Sequence, residues 1–117
     1  MNYDTMTLDE LRDEAARLTG HTRREPPGGG DPFWTHESSR DALYVHPLPP
    51  TLDAVAKAMP KGVMVQIRQG AEWWTAEEVT VMRGGWVIEC SAVGPDELTA
   101  RLRLLCKVLA KGAADGE

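Results

Sequence analysis

Three segments of the chain carry apolar residues at the three- to four-residue spacing of an amphipathic helix. Thr7 and Glu10 form a capping box at the start of the first segment, and Thr51 stands where the second needs a cap. Pro95 suits the first position of the third helix, and Gly112 is predicted to end it. The predicted helices therefore lie within residues 7–20, 51–59 and 94–112.

Between the second and third helices, apolar and polar residues alternate, which is the period-two pattern of half-buried strands. The alternation predicts an antiparallel meander of three strands, over residues 63–68, 73–82 and 86–92. Gly70 is predicted to turn the chain after the first of them. A helix is the alternative for residues 71–82.

The glycine pair Gly84-Gly85 predicts a two-residue hairpin turn between the last two strands. This turn sets Val81 opposite Ile88. One buried face should then hold four apolar side chains, namely Val79, Val81, Ile88 and Cys90. The first half of the same strand is out of phase with that face, so a bulge is predicted near Glu77-Glu78.

The stretch between the first two helices contains Pro-Pro-Gly-Gly-Gly, a run that cannot continue a helix or a central strand. Residues 20–37 are therefore predicted to form a flexible loop, which is either functional or simple slack. Phe33 and Trp34 should fold back onto the domain because of their large apolar area. Residues 38–45 are predicted to form one helical turn or a short extended piece.

Length and composition place these elements in one domain. The chain has 117 residues, of which 42% are hydrophobic and 26% charged, ordinary values for a globular protein. The prediction is a single α+β domain over residues 1–117, with a three-stranded antiparallel meander packed with helices and a frayed tail over residues 112–117. The predicted order of elements is α-(loop)-α-β-β-β-α. The chain shows no secretory signal and no apolar stretch of membrane-spanning length, which predicts a cytoplasmic protein.

The residue types that carry chemistry are present without the spacing that chemistry requires. Metal-ligand spacing is absent from the three histidines, which are His21, His36 and His46. Cys90 and Cys106 lie in apolar patterns and are interpreted as reduced core thiols. Neighbouring strand residues point to opposite faces, so Glu77-Glu78 is interpreted as a solvated bulge. The sequence therefore predicts no catalytic residue, no metal and no cofactor, and a protein that is not an enzyme.

Charge and tryptophan content bear on the choice of partner. The net charge of −5 argues against nucleic acid, because phosphate contacts supply most of the affinity for it. Exposed tryptophans are enriched at interaction hot spots, although packing of Trp73, Trp74 and Trp86 in the core is the alternative. The candidate interaction surface combines the tryptophans with cations of the last helix: Trp34, Trp73, Trp74, Trp86, Arg101, Arg103 and Lys107.

One family shows a similar order of features. The pattern Leu-x-x-Val-Ala-x-x-Met at residues 52–59 is followed by Glu-Trp-Trp at residues 72–74, a glycine-rich hairpin and a final helix led by Gly94-Pro95. Over residues 47–111 this order resembles the phage ABA-sandwich domain family. The resemblance implies a small accessory protein of phage or prophage origin, and it implies no catalytic residues.

Three hypotheses for the function follow. The first is a non-enzymatic accessory protein that acts by binding a protein partner of unknown identity. The second is a self-associating structural module, such as a homodimer built on a free sheet face or an edge strand. The third is a small ligand-binding protein or enzyme in which residues 20–37 close as a lid over a pocket near the tryptophans.

Overall fold

The computed structural model describes residues 2–115, and of residues 39–43 and 113–115 it describes the backbone alone. Within these residues a 3₁₀ turn at Tyr3–Thr5 is followed by three α-helices and two three-stranded antiparallel sheets. In chain order the elements are α1 (Leu8–Leu18), β1 (His21–Arg24), β2 (Phe33–His36), β3 (Ser39–Tyr44), α2 (Leu52–Ala58), β4 (Met64–Gln69), β5 (Trp74–Met82), β6 (Gly85–Gly94) and α3 (Glu97–Asp115). Sheet A has the order β1-β2-β3, and sheet B has the order β4-β5-β6.

Helix α3 is the centre of the fold because it is buried on two opposite sides. One side carries Leu102 and Cys106, which belong to the cluster formed with α1 and α2. The other side carries Ala100, Leu104 and Val108 at four-residue spacing, and these residues pack on sheet B. The result is three layers, in which sheet B and the α1–α2 pair enclose α3.

Small residues allow α3 to approach sheet B closely. Ala76 and Ala92 pair across β5 and β6, and both are buried with Ala100 of the helix. Gly94 ends β6 against the first turn of α3, where an added Cβ would lie 2.7 Å from the backbone nitrogen of Ala100. The face of sheet B that meets the helix is therefore lined by alanine where Ala100 packs, and by glycine at the end of β6.

The turn between β5 and β6 lies one residue earlier in the chain than predicted. Near the turn, each β5 residue therefore pairs with a β6 residue two positions before the predicted one. Val81 pairs with Trp86 rather than with Ile88, and Met82 pairs with Gly85. Arg83 has a negative φ and Gly84 a φ of +96°, so the turn uses one glycine and leaves the second to the strand. The alternative of a helix over residues 71–82 is wrong, since β5 is a strand.

The predicted bulge is present, but its extra residue lies on β6. Glu78 pairs with Cys90 and the next pair is Val79 with Ile88, which leaves Glu89 unpaired. Cys90 therefore faces α3, whereas Ile88 shares the opposite face of the sheet with Val79. The prediction that all of these apolar residues share one buried face is wrong for this reason.

Residues 20–37 are not one long loop, because they contain the hairpin of β1 and β2. His21 pairs with His36 and Arg24 pairs with Phe33. The Pro-Pro-Gly-Gly-Gly run forms only the connection between the two strands, where three successive glycines take positive φ. The segment predicted over residues 38–45 is extended and becomes β3. The Pro-Pro-Gly-Gly-Gly run marks a turn, as its composition indicates, but it does not prevent the residues on either side of it from forming strands.

The helix ends follow most of the predicted caps. Thr7 and Glu10 make both hydrogen bonds of the capping box. Asp96 accepts from the backbone N–H of Thr99, so α3 begins at Glu97, two residues after the proline. The helix passes through Gly112 to Asp115, because one glycine costs a helix only about 1 kcal/mol. The predicted frayed tail is helical over residues 112–115, and residues 116–117 lie outside the described residues.

The α+β class and the antiparallel meander of β4, β5 and β6 are confirmed. The predicted order of elements is wrong where sheet A replaces the loop between the first two helices. The helices that contact sheet B lie on one of its faces, whereas an ABA sandwich has helices on both. The ABA-sandwich label is therefore not confirmed.

The two cysteines lie in different clusters on opposite sides of α3, and both are free thiols. Burial raises the pKa of Cys106 to about 12, and its Sγ donates to the Leu11 carbonyl oxygen. Burial also raises the pKa of Cys90, which is partly exposed. Since the thiolate is the reactive form, we expect a disulfide reagent to modify Cys90 slowly and Cys106 only after unfolding. Rapid labelling of two thiols in the native protein would contradict this expectation.

Candidate interaction surface

The face of sheet B that points away from α3 carries a run of large apolar side chains. The register places Met64, Val79 and Ile88 side by side across the three strands. Val81 and Trp86 form the next pair toward the turn of the hairpin. Val79 is buried in the centre of the sheet, and the four residues around it remain accessible. We call these four, Met64, Val81, Trp86 and Ile88, the apolar face.

The four side chains of the apolar face are strongly exposed although all of them are apolar. The accessible fractions are 46% for Met64, 59% for Val81, 62% for Trp86 and 54% for Ile88. Large side chains present roughly 150–250 Å² when fully exposed, so four that are half exposed present about 400 Å². A contiguous apolar patch of a few hundred Å² is near the largest that monomeric soluble proteins leave uncovered, and such patches are often binding sites.

The reverse side of the same hairpin is also apolar near its turn. Met82 and Val87 point to the side that α3 occupies further along the sheet, and both are exposed. The end of the hairpin therefore presents apolar side chains on both of its faces. A partner that grips this end would bury more area than one that covers the apolar face alone.

Apart from Val93, which pairs with Thr75 and is exposed, the remainder of the outward face is polar and electrically balanced. Arg68 makes a bidentate ion pair with Glu77, with Nε to Oε1 at 2.9 Å and Nη2 to Oε2 at 3.1 Å. Glu77 is buried beneath the more exposed guanidinium, which corrects the prediction that it is solvated. Glu78 points to the other face, as predicted from the alternation of strand residues. The outward face thus combines an apolar end with a neutral polar end.

The four tryptophans have three different environments. Trp34 is buried with its ring 5.1 Å from that of His46, which confirms that it folds back onto the domain. Trp74 is partly buried and belongs to the cluster between sheet B and α3. Trp73 precedes β5 and is 55% exposed, and Trp86 lies on the apolar face. Core packing of all three later tryptophans is therefore wrong for Trp73 and Trp86.

The predicted cations lie at two different edges of sheet B. Arg103 and Lys107 line a cavity of about 360 Å³ beside Trp73 and the outer edge of β6, where Asp4 pairs with Lys107 at 3.2 Å. Arg101 projects toward α2 and β4 and pairs with Glu97. The seven predicted residues thus divide into separate groups rather than one surface.

Sequence reasoning missed Met64, Val81 and Ile88 as surface residues. The alternation predicted a buried face for Val81 and Ile88, because one face of an amphipathic sheet is normally buried, and Met64 was not among the candidate surface residues. The alanines Ala76 and Ala92 were the available signal. Small residues mark the face that a helix approaches closely, and they are on the other side of the sheet from the larger aliphatic residues.

All three histidines lie near the junction of sheet A with α1. The rings of His21 and His36 are 4.7 Å apart, and His36 Nε2 lies 3.0 Å from the Thr19 carbonyl oxygen. His46 Nε2 lies 2.9 Å from Asp13 Oδ1. Among the described residues, no three His, Cys, Asp or Glu side chains are grouped so that they could hold a metal ion. These rings therefore act here as hydrogen-bonding contacts between the sheet and the helix.

His21 makes the stability of this junction depend on pH. Burial lowers the pKa of His21 below the ordinary value of 6.5, and the neighbouring His36 and His46 act in the same direction against a hydrogen bond to Ala16. The folded state therefore disfavours the charged ring, so the stabilisation is complete above about pH 6.5 and is lost as the pH falls through that value. We expect the free energy of unfolding in urea to decrease from about pH 7.5 to about pH 5. The decrease should be smaller in His21→Gln, and an unchanged decrease in that variant would contradict the assignment to His21.

Comparison with protein-family models, with curated proteins and with solved structures found no match to this chain. The resemblance to the phage ABA-sandwich family consequently stays a prediction. In the part of the chain that the structure describes, no helix has the length and apolar character required to cross a membrane.

Proposed function

We propose that the protein is a non-enzymatic interaction module that binds another protein through the apolar face of sheet B. The observation that carries the proposal is the clustering of four exposed apolar side chains, Met64, Val81, Trp86 and Ile88, on one face of sheet B. The fitting partner presents an apolar, uncharged surface, because the polar part of the same face is neutralised by the ion pair of Arg68 and Glu77. Action in the cytoplasm, as a phage or prophage accessory protein, forms part of this proposal through the family resemblance alone.

The chemistry of the face supports a protein partner over a small ligand. Trp86 is a large, rigid side chain of the type that dominates binding energy at protein interfaces. Val81 and Ile88 are its neighbours on the same face, with Met64 further across the sheet on β4, and these apolar side chains can exclude water from a contact. A sheet face is also broad and shallow, whereas small molecules favour concave pockets that bury most of their surface.

Photo-crosslinking tests the proposal at the level of single residues. A photoreactive phenylalanine derivative replaces Trp86 in one variant and Trp73 in a matched control, since both tryptophans are exposed but only Trp86 lies on the apolar face. In cells that express the protein naturally, we expect a discrete crosslinked product from position 86 and none of the same mass from position 73. Adding Ile88→Glu to the first variant should reduce that product at least tenfold, since it places a charge in an apolar contact.

Two results would overturn this proposal. One is the same crosslinked product from positions 73 and 86, which would show contact without selectivity for the face. The other is an undiminished yield from the variant that carries Ile88→Glu. Circular dichroism of each variant checks that the fold is retained, and Ile88 is exposed enough for the substitution to be tolerated.

Self-association through the same face is the second candidate function. The neutral outward face favours it, because two copies can meet there although each chain carries a net charge of −5. The area argues for a weak contact, since about 400 Å² from each copy gives about 800 Å² in total, below the roughly 1,200–2,000 Å² in total that stable interfaces bury. Sedimentation equilibrium decides between the two functions. A dimer that Ile88→Glu dissociates would replace the proposed partner by a second copy.

The third hypothesis required residues 20–37 to close as a lid over a pocket near the tryptophans, and the positions of these elements do not allow it. Residues 21–36 form the hairpin of sheet A beside α1, whereas Trp73, Trp74 and Trp86 belong to sheet B. Of the tryptophans, only Trp34 is carried by the segment itself, and it is buried. A ligand-binding function is therefore not proposed for that segment.

A further inference from the structure

The two edges of sheet B are treated differently by the fold. Along β6, the Arg103 side chain donates to the Val93 carbonyl oxygen at 2.7 Å and Lys107 donates to the Ser91 carbonyl oxygen at 3.0 Å. These side chains occupy backbone acceptors that would otherwise be available to a further strand. Covering an edge with long basic side chains is a known way in which proteins prevent unwanted strand pairing.

The opposite edge, along β4, carries no such cover. Along an antiparallel strand, the N–H and C=O groups of successive residues point alternately to one side of the strand and to the other. The carbonyls of Ser91 and Val93 point away from β5, and the pairing of the strands carries this alternation across the sheet to β4. By this alternation the N–H and C=O groups of Val65, Ile67 and Gln69 point away from β5. Within residues 2–115, no other part of the chain makes a hydrogen bond to them. The fold therefore leaves one strand edge of about 20 Å ready for pairing.

An apolar cleft runs beside this open edge, between β4 and α2. It is lined by Val55, Ala56 and Met59 from the α2 side and by Val63 and Val65 from the β4 side. Its volume is about 200 Å³. A cavity of roughly 150 Å³ with apolar walls accommodates benzene, so the cleft has room for one aliphatic side chain.

One cation lies at the base of the cleft. Arg101 lines it from α3, and its Nε is 3.5 Å from Glu97 Oε2. This Nε is buried, and in the described part of the chain it makes no hydrogen bond. A buried donor without a hydrogen bond is costly, and Glu97 approaches this Nε only as an ion pair, so a carboxylate that enters the cleft and hydrogen-bonds to it would be bound favourably.

We propose that the cleft between β4 and α2 binds an extended segment of a partner protein by adding it as a fourth strand to sheet B. The backbone of the segment pairs with Val65, Ile67 and Gln69. One aliphatic side chain of the segment enters the cleft, and an acidic side chain or terminal carboxylate reaches Arg101. This site is separate from the apolar face, so either site can fail its test without the other.

The position of α2 favours a lone extended segment over a second copy of the chain. In a symmetric antiparallel pairing of two β4 strands, the inner faces of both sheets lie on the same side. Both α2 helices would then lie at the junction of the two chains. The cleft between β4 and α2 in each chain has room for an incoming strand and not for the α2 helix of the other copy. A segment that brings no helix of its own avoids this crowding.

Selection from a random 12-residue peptide library displayed on phage, against the full-length chain, tests the site. We expect enriched peptides to be rich in β-branched residues, with an aliphatic residue and an acidic residue at fixed spacing. A synthetic copy of an enriched peptide should slow amide hydrogen exchange at Val65, Ile67 and Gln69, whose N–H groups we expect to exchange rapidly in the free protein. Ala56→Trp should weaken the binding of that peptide at least tenfold, because Ala56 is exposed and the larger ring fills the cleft.

Arg101→Met and Arg103→Met form a matched pair of variants on the same helix. The first should remove the preference for acidic residues among selected peptides, and the second should not, since Arg103 serves the other edge. Failure to enrich any peptide, protection outside β4, or tight binding by Ala56→Trp would each overturn the proposal. Concentration-dependent protection of β4 without peptide would assign the edge to a second copy and equally overturn it.

Discussion

Gly94→Ala should be the most destabilising conservative substitution in the chain, with a loss of about 2–3 kcal/mol in the free energy of unfolding. An ideal Cβ at this position would lie 2.7 Å from Ala100 N and 3.1 Å from Ala100 Cα. Both atoms are backbone of α3, so no flexible side chain can move aside, and the helix itself must shift away from sheet B. Urea denaturation of the two proteins, with comparison of the midpoints, measures the effect.

Gly112→Ala is the matched control for this substitution. Gly112 lies in α3, and among the described atoms none outside its own stretch of helix lies within 4 Å of the position that its Cβ would occupy. The same change of glycine to alanine should therefore stabilise the protein, by up to about 1 kcal/mol, through helix propensity. Opposite signs for the two variants are expected. A loss below about 0.5 kcal/mol for Gly94→Ala would mean that α3 does not approach β6 as closely as described.

Arg68→Met should cost about 1–3 kcal/mol, the second large effect. The substitution leaves the buried Glu77 carboxylate without its bidentate partner, although water can reach part of the site that the exposed guanidinium vacates. The apolar stem of methionine keeps most of the packing of the arginine side chain. Thermal and urea unfolding both measure the loss.

A double-mutant cycle separates the charge from the packing. Glu77→Gln removes the carboxylate charge and keeps its shape, so Arg68→Met should cost much less in the Glu77→Gln background than in the native one. If Arg68→Met costs the same in both backgrounds, the stabilisation comes from the stem of the arginine and not from the ion pair.

Local signals predicted most of the elements of sheet B and the helices. The capping box at Thr7 and the alternation that begins at Val63 each depend on neighbours within a few residues, and both were sufficient. Sheet A was missed because its strands are only four to six residues long and flank a run of prolines and glycines. Strands as short as His21–Arg24 carry too few alternations for the period to be visible in the sequence.

The candidate surface was harder to predict because it depends on which face of the sheet the helix covers. The pattern at Val79, Val81 and Ile88 has the same appearance whether α3 lies over it or on the other side. The extra residue Glu89 also changes which face of the sheet the earlier residues of β6 occupy relative to Cys90. No local sequence signal marks this bulge on β6. Trp86 was among the predicted candidates and is exposed, whereas its neighbours on the face were not among them.

The burial of α3 on both of its sides has a consequence for synthesis on the ribosome. The Sγ of Cys106 bonds to the Leu11 carbonyl oxygen across 95 residues of sequence, and sheet B covers the helix from the other side. A nascent chain that ends before residue 97 holds both outer layers and lacks the element that joins them. Its apolar surfaces stay exposed until α3 has emerged from the ribosome, so the emerging chain is expected to require protection up to that point.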